Sequence, residues 1–87
     1  MNGKFTVTPE NCTDTTTTPE FKVIVLKNKH QENWRDKPES YWLNGLQEEV
    51  YELAGALRGE HEHPADFELM QIAAICINWL EMRAEKQ

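Results

Sequence analysis

Leu43, Leu46, Val50, Leu53 and Leu57 recur at steps of three and four residues. A strand would scatter them over both faces. On a helix, at about 100° per residue, Val50, Leu53 and Leu57 fall within about 40° of Leu46. This stripe predicts a helix opened by Pro38-Glu39-Ser40 and running to about Arg58, with Gly59 as its stop. After the loop Gly59-Glu60-His61-Glu62-His63-Pro64, Asp66 is the expected N-cap of a further helix over about 67–85. Its apolar residues, Leu69, Ile72, Ala73, Ile75, Cys76, Ile77, Trp79 and Leu80, cover more than half its circumference. A helix this apolar needs cover on several sides.

Ahead of these lies a first helix over about 19–34. Thr18 is its N-cap, Pro19 its first residue, and Glu20 suits the positive end of its dipole. Phe21-Lys22-Val23-Ile24-Val25-Leu26 is β-branched enough to suit a strand as well. Arg35-Asp36-Lys37-Pro38 is a connector. Residues 1–18 are polar and rich in threonine, and they read as a flexible leader in which Phe5 and Val7 alternate as in a short strand. The expected architecture is all-α: a helical domain over 19–87 whose second and third helices form an antiparallel central pair. A chain of 87 residues buries only roughly 60–65% of its unfolded surface, so a shared core is expected, as a homodimer or a higher homo-oligomer that completes a helical bundle.

The net charge of −6 and the pI of about 4.9 argue against nucleic acid and anionic membrane as partners, since both call for a basic patch. No apolar run approaches the roughly 20 residues of a membrane span. Cys12 and Cys76 show no paired framework and read as free thiols in a reducing compartment. No basic region followed by an apolar run stands at the N-terminus, so the expected location is the cytoplasm.

The acidic residues carry the chemistry. Glu49 and Glu52 share a helical face at a spacing of three, and Glu68 and Gln71 repeat that spacing on the next helix. From Leu46, Glu49 lies about 60° and Glu52 about 120° around the helix, bordering the core, while Glu48 lies almost opposite and faces water. Glu68 falls inside the apolar arc of its helix, where an acid needs a partner or a metal. On antiparallel helices the four side chains converge, and a hard cation such as Mg²⁺ takes such an oxygen set.

Glu48-Glu49-Val50-Tyr51-Glu52 followed by Glu68-Leu69-Met70-Gln71 resembles the E-E-x-x-E and E-x-x-D pattern of the MazG-like all-α nucleotide pyrophosphohydrolases. The preceding helix, ending near Asn33-Trp34, is similar too, so the resemblance covers about residues 20–85. It implies cleavage of a nucleoside triphosphate between its α and β phosphates, with Mg²⁺ as cofactor and Mn²⁺ as a substitute. The implied metal ligands are Glu49, Glu52, Glu68 and, in the place of the family's aspartate, Gln71. One of these glutamates, or Glu48 by relay, would take the proton of the attacking water. Gln71 departs from the pattern: it either completes a weaker site or marks a non-catalytic helical oligomer that binds nucleotides or is structural only.

Asn78 lies two turns beyond Gln71 on nearly the same face, and its amide either reaches a phosphate or sugar oxygen or stands in solvent. Of the three tryptophans, Trp34, Trp42 and Trp79, Trp42 is the candidate for stacking on a base, against core packing for the others. Arg58 and Lys37 are candidate phosphate contacts, with a surface salt bridge as the alternative for each. His61 and His63 read as solvated loop residues, and His30 as packed on Trp34.

Overall fold

The computed structural model describes residues 5–60 and 62–85, and the backbone alone for residues 31–33. Three helices, α1 (Pro19–Trp34), α2 (Glu39–Leu57) and α3 (Ala65–Glu85), make up the fold. No strand occurs among the described residues, so the helix reading of Phe21 to Leu26 holds and the strand reading of Phe5 to Val7 does not.

The starts and stops have local causes. Thr18 Oγ1 accepts from the Phe21 amide at 3.1 Å, and Pro19 supplies a first-turn residue with no amide to satisfy. At the end of α2, Gly59 takes a left-handed φ of 76°. That conformation lets the Glu60 amide reach Gly55 O at 2.8 Å and the Gly59 amide reach Ala56 O at 3.0 Å, closing the last turn. At α3 the expected cap is displaced. The helix starts one residue before Asp66, and Pro64 O accepts from the Phe67 amide at 3.1 Å. Asp66 instead lies in the first turn, where its charge suits the dipole.

The middle layer is α3, with α1 and α2 packed on it. Glu39, at the start of α2, accepts from Trp79 Nε1 at 2.7 Å and pairs with Arg83 near the end of α3. The two helices therefore run antiparallel, as expected. Pro19 and Val23 lie beside Asp66 and Met70, while Arg35 pairs with Glu85 at 3.1 Å, so α1 runs in the same direction as α3.

Two apolar clusters form the core. One joins Trp42, Ile75 and Met82 with Trp34, Leu46 and Trp79. The other joins Leu26, Phe67, Met70 and Ala74 with Val7 and Cys12. The last two belong to the stretch read as a flexible leader, and both side chains are buried against the helices. Thr8 and Asn11 exchange side-chain to backbone hydrogen bonds at 2.8 and 3.2 Å, and the resulting turn presents Cys12 inward. Lys22, 2% exposed, donates from Nζ to Cys12 O at 2.7 Å and to Asp14 O. A buried ammonium thus fastens the leader to α1.

The buried side of α2 is also turned from the leucine stripe. Trp42 and Gly55 are its buried residues, whereas Leu43, Val50 and Leu57 are exposed. Gly45 lies on the side of α2 that meets α1: a Cβ there would stand 2.5 Å from Trp34 Cη2. The missing side chain lets Trp34 lie on α2. Gly45→Ala is expected to lower stability by about 1–3 kcal/mol, although alanine is about 1 kcal/mol the better helix former. A thermal melt of this variant at or above the parent midpoint would contradict this.

Candidate metal centre

Because α2 turns its Trp42 side toward α3, Glu49 and Glu52 come within reach of α3, with Glu52 at the open edge. Glu68 comes from the first turns of α3. One carboxylate oxygen from each of the three lies within 4.8 Å of the others. Among the described residues this is the one such grouping of His, Cys, Asp and Glu side chains. Glu68 is 1% exposed, and Glu49 and Glu52 are half-buried.

Three carboxylates at this range cannot all stay ionised without a cation. Burial, first, then a hydrogen bond with Glu68 and the charges of Glu52, Glu68 and Glu48 push the Glu49 carboxyl up to about 8. Glu49 Oε1 is fully buried and has no hydrogen-bond partner. A six-coordinate Mg²⁺ at about 2.1 Å from each oxygen spans at most about 4.2 Å between opposite ligands, and Ca²⁺ spans up to about 5 Å. Three ligands of one octahedral ion include at most one opposite pair, and adjacent oxygens stand about 3.0 Å apart, so carboxylates spread over as much as 4.8 Å would have to close in to share one cation.

Gln71 is placed differently from the glutamates. Its Oε1 lies 3.1 Å from Nε2 of His30, so α1 engages the amide that the spacing argument assigned to the cluster. His30 also lies against Trp34, 6.2 Å between ring centres, as expected. Glu48 is exposed and lines a shallow open depression with Asn44, Gln47, Tyr51 and Glu52. Glu52 belongs to both the depression and the cluster, so the polar outer face of α2 is continuous with the carboxylates.

Several candidate residues lie elsewhere. Trp42 is 2% exposed, packed edge-on to Trp34 at 5.3 Å, with Nε1 donating to Lys37 O at 3.3 Å. It is a core residue and offers no face to a base. Asn78 is neither solvated nor open to a ligand: it is 4% exposed and donates from Nδ2 to Lys27 O at 2.9 Å, joining α3 to α1. Arg58 pairs with Glu60 at 2.9 Å. Nine residues from Glu49, it points about 180° away around α2. Lys37 lies over the Tyr41 ring at 5.3 Å, and its position is about 18 Å along the axis from Glu49.

His63 was missed. Read as a solvated loop residue, it places Nδ1 3.2 Å from Glu68 Oε2 and sets its ring edge-on to Phe67. The sequence held one signal for it: a buried acid at Glu68 needs a partner, and His63 stands five residues away. His61 lies outside the described residues. Cys12 is buried and Cys76 half-buried, both as free thiols. No helix among the described residues is long and apolar enough to cross a membrane.

Comparison with protein-family models, curated proteins and solved structures gives no match to this chain.

Proposed function

We propose that the chain is a Mg²⁺-dependent nucleoside triphosphate pyrophosphohydrolase of the MazG-like kind, releasing a nucleoside monophosphate and pyrophosphate. The observation that carries the reading is the meeting of Glu49, Glu52 and Glu68 across an antiparallel helix pair, with carboxylate oxygens within 4.8 Å. Those three residues hold the cation. Bound there, Mg²⁺, or Mn²⁺ in its place, neutralises triphosphate charge and acidifies a water. Glu49 must lose its proton for the cation to enter. Glu48, exposed beside Glu52, is in a position to accept a proton from solvent-side water. With Trp42 and Asn78 buried, the polar depression along Asn44, Gln47 and Tyr51 is the surface left for the nucleoside.

The rival reading is a non-catalytic helical oligomer, and Gln71 is the feature that favours it. A neutral amide held by His30 supplies no charge to the cation. The discriminating assay is pyrophosphate release from a panel of NTPs and dNTPs with Mg²⁺ or Mn²⁺. The catalytic reading expects release by the parent chain and equal or greater release by Gln71→Asp. Absence of release from every nucleotide by both proteins would sink it.

The assembly belongs to the same proposal. Leu43, Val50 and Leu57 form an exposed line on α2, and Leu69 and Leu80 form another on α3. Trp34 of α1 packs on the Gly45 side of α2, so the α2 line lies on the far side of that helix from α1. A second copy covering both lines makes a four-helix bundle. Light scattering is expected to give at least twice the 10.2 kDa chain mass, and a monomer at micromolar concentration would contradict this.

A further inference from the structure

We propose that His63, in the turn before α3, is a positioning residue that aims the Glu68 carboxylate at the cation. The inference rests on the cation-site reading above. Glu68 is 1% exposed, so its orientation is set by protein contacts and not by water. His63 Nδ1 meets Oε2 at 3.2 Å. A ring nitrogen on one carboxylate oxygen arrests rotation about the terminal bond and gives the other oxygen a fixed direction. Partners of this kind around metal ligands typically govern 10–100-fold in affinity.

The imidazole is itself held from three sides. Pro64 follows it and restricts its backbone to extended conformations. The Phe67 ring lies 5.2 Å away at 75°, fixing the imidazole plane. Glu62 Oε1 stands 3.9 Å from Nε2, on the outer side. The loop thus presents a donor at a set place over the first turns of α3. Two roles compete for this contact. In one, the imidazole only compensates a buried acid. In the other, it directs an oxygen, and a neutral donor at the same place does the same work.

The two roles separate in a titration of Mn²⁺, followed by the loss of its free electron-paramagnetic-resonance signal, for the parent protein, His63→Leu and His63→Asn. The asparagine amide reaches roughly where Nδ1 stands but carries no charge. His63→Leu is expected to weaken Mn²⁺ binding about 10–100-fold, with His63→Asn within about threefold of the parent. Equal binding by parent and His63→Leu overturns the proposal. So does equal weakening in both variants, which would trace the effect to charge or ring packing. If the parent protein binds no Mn²⁺, the cation-site reading fails and the proposal falls with it. Should His63→Leu not fold by circular dichroism, His63→Ala enters the same comparison.

Discussion

Glu49→Gln is expected to make the metal-free protein more stable at pH 8–9 while abolishing its response to divalent cations. Glu49 is held protonated by burial and by its acidic neighbours, with its carboxyl raised to about 8 from an ordinary 4.5. A carboxyl raised on folding contributes stability that is fully present below about pH 4.5 and is lost as the pH climbs through about 8. The parent protein therefore weakens across that window. Glutamine has nothing to lose. Because the Glu49 side chain is only half-buried, solvent screening reduces the difference to about 1–2 kcal/mol at pH 9. For a domain of this size that is about 5–15 °C in melting temperature. The same substitution removes a charged ligand, so Mg²⁺ or Mn²⁺ should stabilise the parent at pH 8 and leave the variant unmoved. Pyrophosphate release should fall on the order of 10²-fold or more. Melting curves at pH 5, 7 and 9 with and without Mn²⁺ check both halves. A variant that melts below the parent at pH 9, or gains as much from Mn²⁺, contradicts the account.

The second large effect concerns the leader. Lys22→Met keeps an unbranched stem in the same space and removes the ammonium that donates to Cys12 O and Asp14 O. Two carbonyls then lose a charged donor, and one of them belongs to the turn that sets Cys12 into the core. Charged hydrogen bonds of this sort are worth about 1.5–3 kcal/mol each, and removal of the buried charge returns part of that. A net loss of about 2–3 kcal/mol, or about 10–20 °C, is expected. Limited proteolysis should show cleavage within residues 5–18 before any cut in α3, because the leader detaches first. A Lys22→Met protein that melts within about 2 °C of the parent and resists cleavage in the leader would show that the ammonium is not what holds it.

Much of the fold was legible because local rules decided it. Thr18-Pro19-Glu20 starts α1, and Gly59 ends α2 through the left-handed turn that only glycine adopts without strain. The inward direction of Glu68 also followed from its helical register. What the pattern did not reveal was which apolar face serves the chain's own core. The leucine line of α2 is the stronger stripe, yet the helix turns Trp42 toward α3 and the flat place at Gly45 toward Trp34 of α1. A regular stripe looks the same whether it meets its own chain or another. The leader escaped notice because only Val7 and Cys12, two residues in a threonine-rich stretch, become buried there.

The site was legible in part for a related reason. Glu49, Glu52 and Glu68 meet because their spacing and the antiparallel pairing leave few other arrangements. Gln71 and Asn78 share helical faces with them, but α1 lies along that side of α3 and engages both amides, through His30 and the Lys27 carbonyl. Helical periodicity cannot show where a third helix lies. His63 acts from a loop, where no periodicity applies at all.

The most direct test of the carboxylate centre is calorimetric titration of the parent protein with Mn²⁺ at pH 7, in two buffers of different ionisation heat. With the Glu49 carboxyl raised to about 8, most molecules carry its proton at pH 7, and the cation must expel it. The account predicts saturable binding of one ion per site with release of most of one proton, both absent in Glu49→Gln. No saturable binding, or binding with a proton release that Glu49→Gln leaves unchanged, would contradict it.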